Sequence, residues 1–252
     1  MRRKRALTPG LMSCVAVFLS ALIICCAAPA SADPYTVTGS YSGHDCTEVL
    51  VIVPLPVDRA AAMLPNGYRP ESLAGLLAGR ADLPGPTAVT AEVTTCRGGS
   101  VDGIPTRTPF STSDLGLLIR PHDNAPGLHV YSLHYLLSDQ RTTDMLRSAG
   151  FSADRSTAIG ARADGTADAS DIHLRVVAPV PYSPVSAVSI WHQDGATTGL
   201  LRAPLIDVRT GNGFGCMTAE PGSPVIPLIG SAEACGIGVL LHYDTVTTVA
   251  RI

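Results

Sequence analysis

The chain has 252 residues, 18 Lys plus Arg against 21 Asp plus Glu, and a formal charge of −3, with 46% hydrophobic and 5% aromatic residues. That balance leaves no basic patch for nucleic acid or for an anionic membrane surface. Lys4 is the single lysine of the chain.

The first element is a leader. Arg2, Arg3, Lys4 and Arg5 precede an apolar stretch over residues 11–28, and Ala30-Ser31-Ala32 has the small-x-small form of a cleavage site. Cleavage after Ala32 and secretion to the extracellular space are expected, with residues 33–252 forming a single β-rich domain. Removing four basic residues from 18 leaves 14 Arg against 21 acidic residues, a formal charge of −7. Gly and Pro are frequent and spread along the chain, which favours many short elements joined by turns.

Residues 35–42 (YTVTGSYS) read as an edge strand and residues 47–53 (TEVLVIV) as a core strand apolar on both faces. Pro54 and Pro56 end the latter, and Asp58 opens a short helix through Leu64 that Pro65 stops. Asn66-Gly67 makes a tight turn, and residues 71–78 suit a second helix. Residues 87–96 (TAVTAEVTTC) form a strand with Thr90, Glu92 and Thr94 on one face. Residues 97–114 read as a long loop, then strands over 115–120 and 128–137. Ser138 or Asp139 caps a helix over 140–149, followed by polar sequence to Ser170. Strands over 172–180, 185–192, 198–208 and 237–250 close the chain, the last interrupted near Asp244. The glycines of residues 211–215 read as a turn. The sum is a β-rich α+β fold, a twisted antiparallel, barrel-like sheet with two or three short helices.

Outside the leader the chain carries Cys46, Cys96, Cys216 and Cys235. In an oxidising compartment four cysteines imply two disulfides with three possible connectivities. The favoured one is Cys46–Cys96 with Cys216–Cys235, the second closing a Pro-rich loop worth roughly 3 kcal/mol on the chain-entropy relation. The absence of C-x-x-C argues against a structural zinc site and against a thioredoxin-like redox role.

Known catalytic patterns are missing. There is no Gly-x-Ser-x-Gly elbow, only five glutamates are available for paired-carboxylate chemistry, and none of the seven histidines forms H-x-H or H-x-x-x-H. His129 and His134, five apart on one strand, are expected on opposite faces. No metal and no cofactor are expected. Glu92 is the most informative single residue, a lone acid in the middle of a Thr/Val/Ala strand, placed to orient a ligand or move a proton if its face lines a pocket, or simply solvated if it does not. Arg120, His134 and Trp191 join it as candidate ligand-binding residues, Trp191 also suiting a core anchor.

Residues 49–71 (VLVIVPLPVDRAAAMLPNGYRPE) resemble the N-terminal strand and helix of acetoacetate decarboxylase-like proteins, with Leu64-Pro65-Asn66-Gly67-Tyr68-Arg69-Pro70 carrying the match. The resemblance implies a twisted, cone- or barrel-like sheet around a largely apolar pocket, with a pocket acid on a central strand roughly where Glu92 falls. In the decarboxylating members a pocket lysine with a depressed pKa forms a Schiff base with a β-keto acid. Beyond the leader this chain has no lysine, and arginine does not deprotonate in the useful range. The expected function is therefore binding of a small, partly apolar ligand, or of another exported protein, without Schiff-base decarboxylation. The alternative is a lyase or hydrolase built on Glu92, Arg120 and His134.

Overall fold

A computed structural model of the chain describes residues 37–78, 84–106, 108–120, 128–148, 151–177, 185–192, 196–201 and 213–251. The expected leader and its cleavage site lie outside these residues, as do residues 178–184 and 202–212. The described elements belong to one unit, residues 36–252.

In chain order the unit opens with β1 (Val37–Leu55), α1 (Val57–Ala61), β2 (Arg69–Pro70), α2 (Leu73–Ala78) and β3 (Thr87–Val101). Next come β4 (Ile104–Pro105), β5 (Phe110–Arg120), β6 (Leu128–Leu137) and α3 (Gln140–Ser148). Four short strands follow, β7 (Ala153–Arg155), β8 (Ile159–Ala161), β9 (Thr166–Ala169) and β10 (Ile172–Val177). The chain closes with β11 (Val185–His192), β12 (Ala196–Leu201), β13 (Gly213–Ala219), α4 (Val225–Ile229) and β14 (Glu233–Arg251).

The strands form one 14-stranded sheet whose paired neighbours run β1-β3-β5-β6-β12-β11-β14-β13-β10-β9-β8, with β14 pairing β1 as well. The sheet is twisted and mixed rather than a regular closed barrel. The expectation of antiparallel pairing is corrected at two places, since β11–β14 and β6–β7 are parallel. Four helices stand among the described residues instead of two or three. The extra one, α4, contains Pro227 and ends on Gly230 in the left-handed conformation at φ 83°, a glycine C-terminal stop that lies in sequence read as loop.

Several expected boundaries move because strands pair on both sides. The supposed edge strand and core strand are one strand, β1, paired with β3 on one flank and β14 on the other. Asp45, at φ 52°, absorbs the local irregularity without ending it. The stretch expected as a long loop is mostly strand: β3 continues to Val101, turns through Asp102-Gly103 into β4, and β5 starts at Phe110. Ladder pairing supplies hydrogen bonds that satisfy the backbone of polar, glycine-containing sequence as well as apolar sequence. For the same reason β14 runs through Asp244, and Gly213 and Gly215 lie in β13. Those glycines are needed, because a Cβ at Gly215 would stand 2.6 Å from Gly238 Cα.

Both expected disulfides are present and each joins residues directly opposite across a strand pair. Cys46–Cys96 links β1 to β3 and Cys216–Cys235 links β13 to β14, with Cα separations of 3.9 and 4.1 Å. No helix among the described residues is long and apolar enough to cross a membrane.

The central strands separate two sets of side chains. On one face Val49, Val51, Val53, Val89, Val93, Leu115 and Leu117 pack with Leu174, Val176, Met217 and Leu228, so β9, β10, β13 and α4 cover that side. The opposite, inner face carries an apolar group at each end. Leu50, Ile52, Leu73, Ala88, Leu118, Val239 and Leu241 form one. Phe110, Tyr135, Leu137 and Tyr41 form the other with Leu146 of α3 and Phe151. Asp139 caps α3 by accepting the Thr142 backbone N–H at 3.0 Å.

Candidate functional site

Between these two apolar groups the inner face carries acids. The period of two along each strand places Glu48 with Cys46 and Leu50, Glu92 with Thr90 and Thr94, and Asp114 with Thr112 and Gly116. Register aligns the rows: Leu50 stands opposite Glu92 and Glu48 opposite Thr94 across β1–β3, and Glu92 stands opposite Asp114 across β3–β5. Asp114 in turn faces Tyr135 of β6. Three carboxyls from three adjacent strands therefore share one interior patch.

Hydroxyls surround them. Thr94 Oγ1 donates to Glu48 Oε2 at 3.1 Å, and Tyr243 of β14 is hydrogen-bonded to Glu48 as well. Ser132 Oγ donates to Asp114 Oδ1 at 2.5 Å. The Tyr135 and Tyr41 hydroxyls are hydrogen-bonded to each other beside the cluster. Glu92 makes no hydrogen bond to a described residue. Its carboxyl is surrounded by protein, and the residue is half-buried rather than sealed.

A buried carboxylate loses its hydration, and like charges directly opposite in a ladder repel. Burial pushes Glu48 up from 4.5 to about 7, against the lowering effect of its Thr94 and Tyr243 hydrogen bonds. Burial likewise raises Asp114 from 3.8 to about 7 against its Ser132 hydrogen bond. Glu92 is held well above the usual carboxylate range, by burial first and then by the charges of Glu48 and Asp114. Glu92 is thus biased toward its protonated form beside two carboxyls near their midpoints at neutral pH. Burial also keeps Tyr135 and Tyr243 protonated.

The sequence-derived set is divided by the fold. Glu92 lies at the centre of the patch. Arg120 lies six residues further along β5 than Asp114 and pairs with Glu71, its Nε 3.2 Å from Oε2. His134 stands opposite Leu115, on the other side of the sheet, with Asp154 Oδ2 at 3.9 Å. A β-bulge between Leu115 and Gly116 shifts the register there. The bulge brings Tyr135 and Ser132 to the same face and puts His134 and His129 on the face opposite to them, so the expected split of the two histidines is corrected. Trp191 belongs to β11, paired with Thr197 and Ala250; its side chain lies outside the described residues.

Glu48 and Asp114 were not singled out from sequence. Glu48 opens an apolar run, and Asp114 sits in what reads as loop. A usable signal existed, because a lone acid inside a strand otherwise made of buried residue types marks an interior polar position. Elsewhere, a cavity of about 370 Å³ is lined by Pro105, Ser138, Asp139, Gln140, Arg141 and Arg155, and none of the carboxyls reaches it.

The search for matching family models finds none, and no curated protein matches. Solved structures that the chain is similar to include an acetoacetate decarboxylase, at 9% identity and TM-score 0.47, covering 84% of this chain and 86% of that one. An acetoacetate decarboxylase-like enzyme from Sphingomonas wittichii RW1 follows at 10% identity and TM-score 0.43, covering 86% and 93%. The enduracididine biosynthesis enzyme MppR matches at 11% identity and TM-score 0.43, covering 80% and 84%.

Proposed function

We propose that the chain is an exported protein that binds a small, partly apolar molecule on the inner face of β1, β3 and β5, against Glu92. The observation that carries this reading is Glu92 itself, a carboxyl without a hydrogen-bond partner among the described residues, set between two hydrogen-bonded acids and beside an apolar group on the same face. Perturbed acids cluster at functional sites more than elsewhere.

Schiff-base decarboxylation is not part of this proposal, since the chain has no lysine beyond Lys4 and Glu92, Glu48 and Asp114 cannot replace an amine nucleophile. Native mass spectrometry of protein purified from its own host tests the binding reading. A co-purifying small molecule lost on Glu92→Gln supports it; an empty wild-type protein counts against it. Export is tested separately, by recovering from the medium a chain whose first residue is Asp33.

A second reading has its own observation. Glu48 and Asp114, both near 7, flank Glu92, whose pKa burial and their charges raise, so the three acids can exchange protons near working pH. On that reading the chain is a lyase or hydrolase. Turnover in a substrate screen that disappears with Glu92→Gln, in protein that carries no bound molecule, would favour it over binding.

A further inference from the structure

We propose that the molecule taken by the inner face is a small primary amine with an apolar tail, held as its ammonium cation against Glu92 and one flanking carboxyl, Glu48 or Asp114. The inference rests on the binding reading above and names the ligand class.

The wiring of the cluster sets its polarity. The Thr94 and Ser132 hydroxyls each spend their proton on a carboxyl oxygen. Glu48 and Asp114 are therefore arranged as acceptors, with hydrogen bonds of the kind that favour the ionised form. Glu92 adds a third carboxyl with no hydrogen bond to a described residue. A site made of acceptors is complementary to a group made of donors, and an ammonium offers three N–H and no acceptor.

No basic side chain among the described residues already fills this role. Arg120 is engaged by Glu71 further along the strand, and His134 stands on the opposite face. His242 lies across from Thr47, whose side chain it meets at 3.4 Å, on the face away from Glu48. The tyrosines nearest the cluster, Tyr243 from β14 and Tyr135 from β6 with Tyr41 behind it, stay neutral. The charge balance inside therefore falls to protons. An entering ammonium replaces one of them: the amine binds as its cation and one carboxyl proton leaves to solvent. Leu50, Ile52, Leu118, Val239 and Leu241 on the same face supply the wall for an apolar tail.

A metal ion is the rival cation. Among the described residues the set of His, Cys, Asp and Glu whose donor atoms converge within 4.8 Å is Cys216, Glu233 and Cys235, and both of those cysteines are joined in a disulfide. The three interior carboxyls are not drawn together to that spacing.

Isothermal titration of the disulfide-intact protein with n-butylamine, n-butanol and n-butyrate, at three pH values from 5.5 to 7.5 and in two buffers of different ionisation enthalpy, tests the inference. The amine is expected to bind about tenfold or more tighter than the alcohol at pH 7.5, with release of about one proton. Its affinity should rise by up to about tenfold per pH unit below pH 7, where a carboxyl must first lose its proton. Glu92→Gln, with Asp114→Asn as a second isosteric variant, should bring the affinity for the amine down to that for butanol measured on the same variant. Butanol or butyrate binding as tightly as the amine would overturn the amine class and leave the small-molecule reading standing. Failure of all three probes would remove both. Displacement of bound amine by micromolar Mg²⁺ or Ca²⁺ would make the cluster a metal site and overturn the amine assignment.

Discussion

Replacing Glu48 by Gln removes an acid that the fold holds in the wrong protonation state for neutral pH. Its pKa rises from 4.5 to about 7 on burial between Thr94 and Tyr243. Below pH 4.5 both folded and unfolded chains carry the proton, and Glu48 has no effect on the balance. Between pH 4.5 and about 7 the unfolded chain releases that proton while the folded chain keeps it. Stability then falls as pH rises, because the folded state binds more protons. Above about pH 7 the loss is complete. At 1.36 kcal/mol per pKa unit the full effect is about 3 kcal/mol. Glu48→Gln keeps an acceptor for the Thr94 hydroxyl and carries no titrating group. The variant should match the wild type near pH 4.5 and exceed it by about 3 kcal/mol at pH 8. Urea denaturation of oxidised protein at half-unit steps from pH 4.5 to 8 measures the difference directly. Comparing variant with wild type cancels His173, whose pKa is raised mainly by its hydrogen bond to Asp168 and which also loses stability as pH climbs. Parallel profiles for the two proteins would refute the reasoning, since they would mean that Glu48 is ionised in the folded chain at all these pH values.

Reduction should lower the melting temperature appreciably. The bridges span 50 and 19 residues, worth about 4 and about 3 kcal/mol on the chain-entropy relation, and an unchanged melt in reductant would contradict their formation. Gly236→Ala places a Cβ 2.1 Å from the Ile52 carbonyl oxygen of the neighbouring strand. It should cost about 2 kcal/mol or more in denaturant titrations by forcing β14 off β1. Asp139→Ala removes the acceptor of the Thr142 N–H and hydroxyl and should cost about 1 kcal/mol. Asp139→Asn should recover most of it.

Much of the architecture was readable from local chemistry. β6 begins and ends where alternation over residues 128–137 places it, and α3 begins one residue after Asp139, its cap. Asp58 occupies the first turn of α1. Glu92 was legible as an interior acid because its neighbours, Ala91 and Val93, are of buried type and residues 87–96 carry no other charge. Its two companions were not. Glu48 and Asp114 become neighbours of Glu92 only through strand register, and register is a relation between segments 22 to 44 residues apart that no single segment encodes. His134 and Arg120 lie apart from the three carboxyls. Both looked chemically suited to the acid, yet the bulge after Leu115 turns His134 to the other face, and Arg120 is occupied by Glu71.

Sequence alone determined what kinds of atoms are available: four cysteines beyond residue 32, no lysine beyond Lys4, and one acid in the middle of a Thr/Val/Ala strand. It could do so because side-chain chemistry is a property of the residue. Tertiary structure decided which of these atoms meet. Pairing of β1, β3 and β5 sets three carboxyls on one enclosed face, and only there do desolvation and mutual repulsion change what an acid is at neutral pH. A residue's identity travels with the chain, but its charge state depends on the neighbours that folding provides.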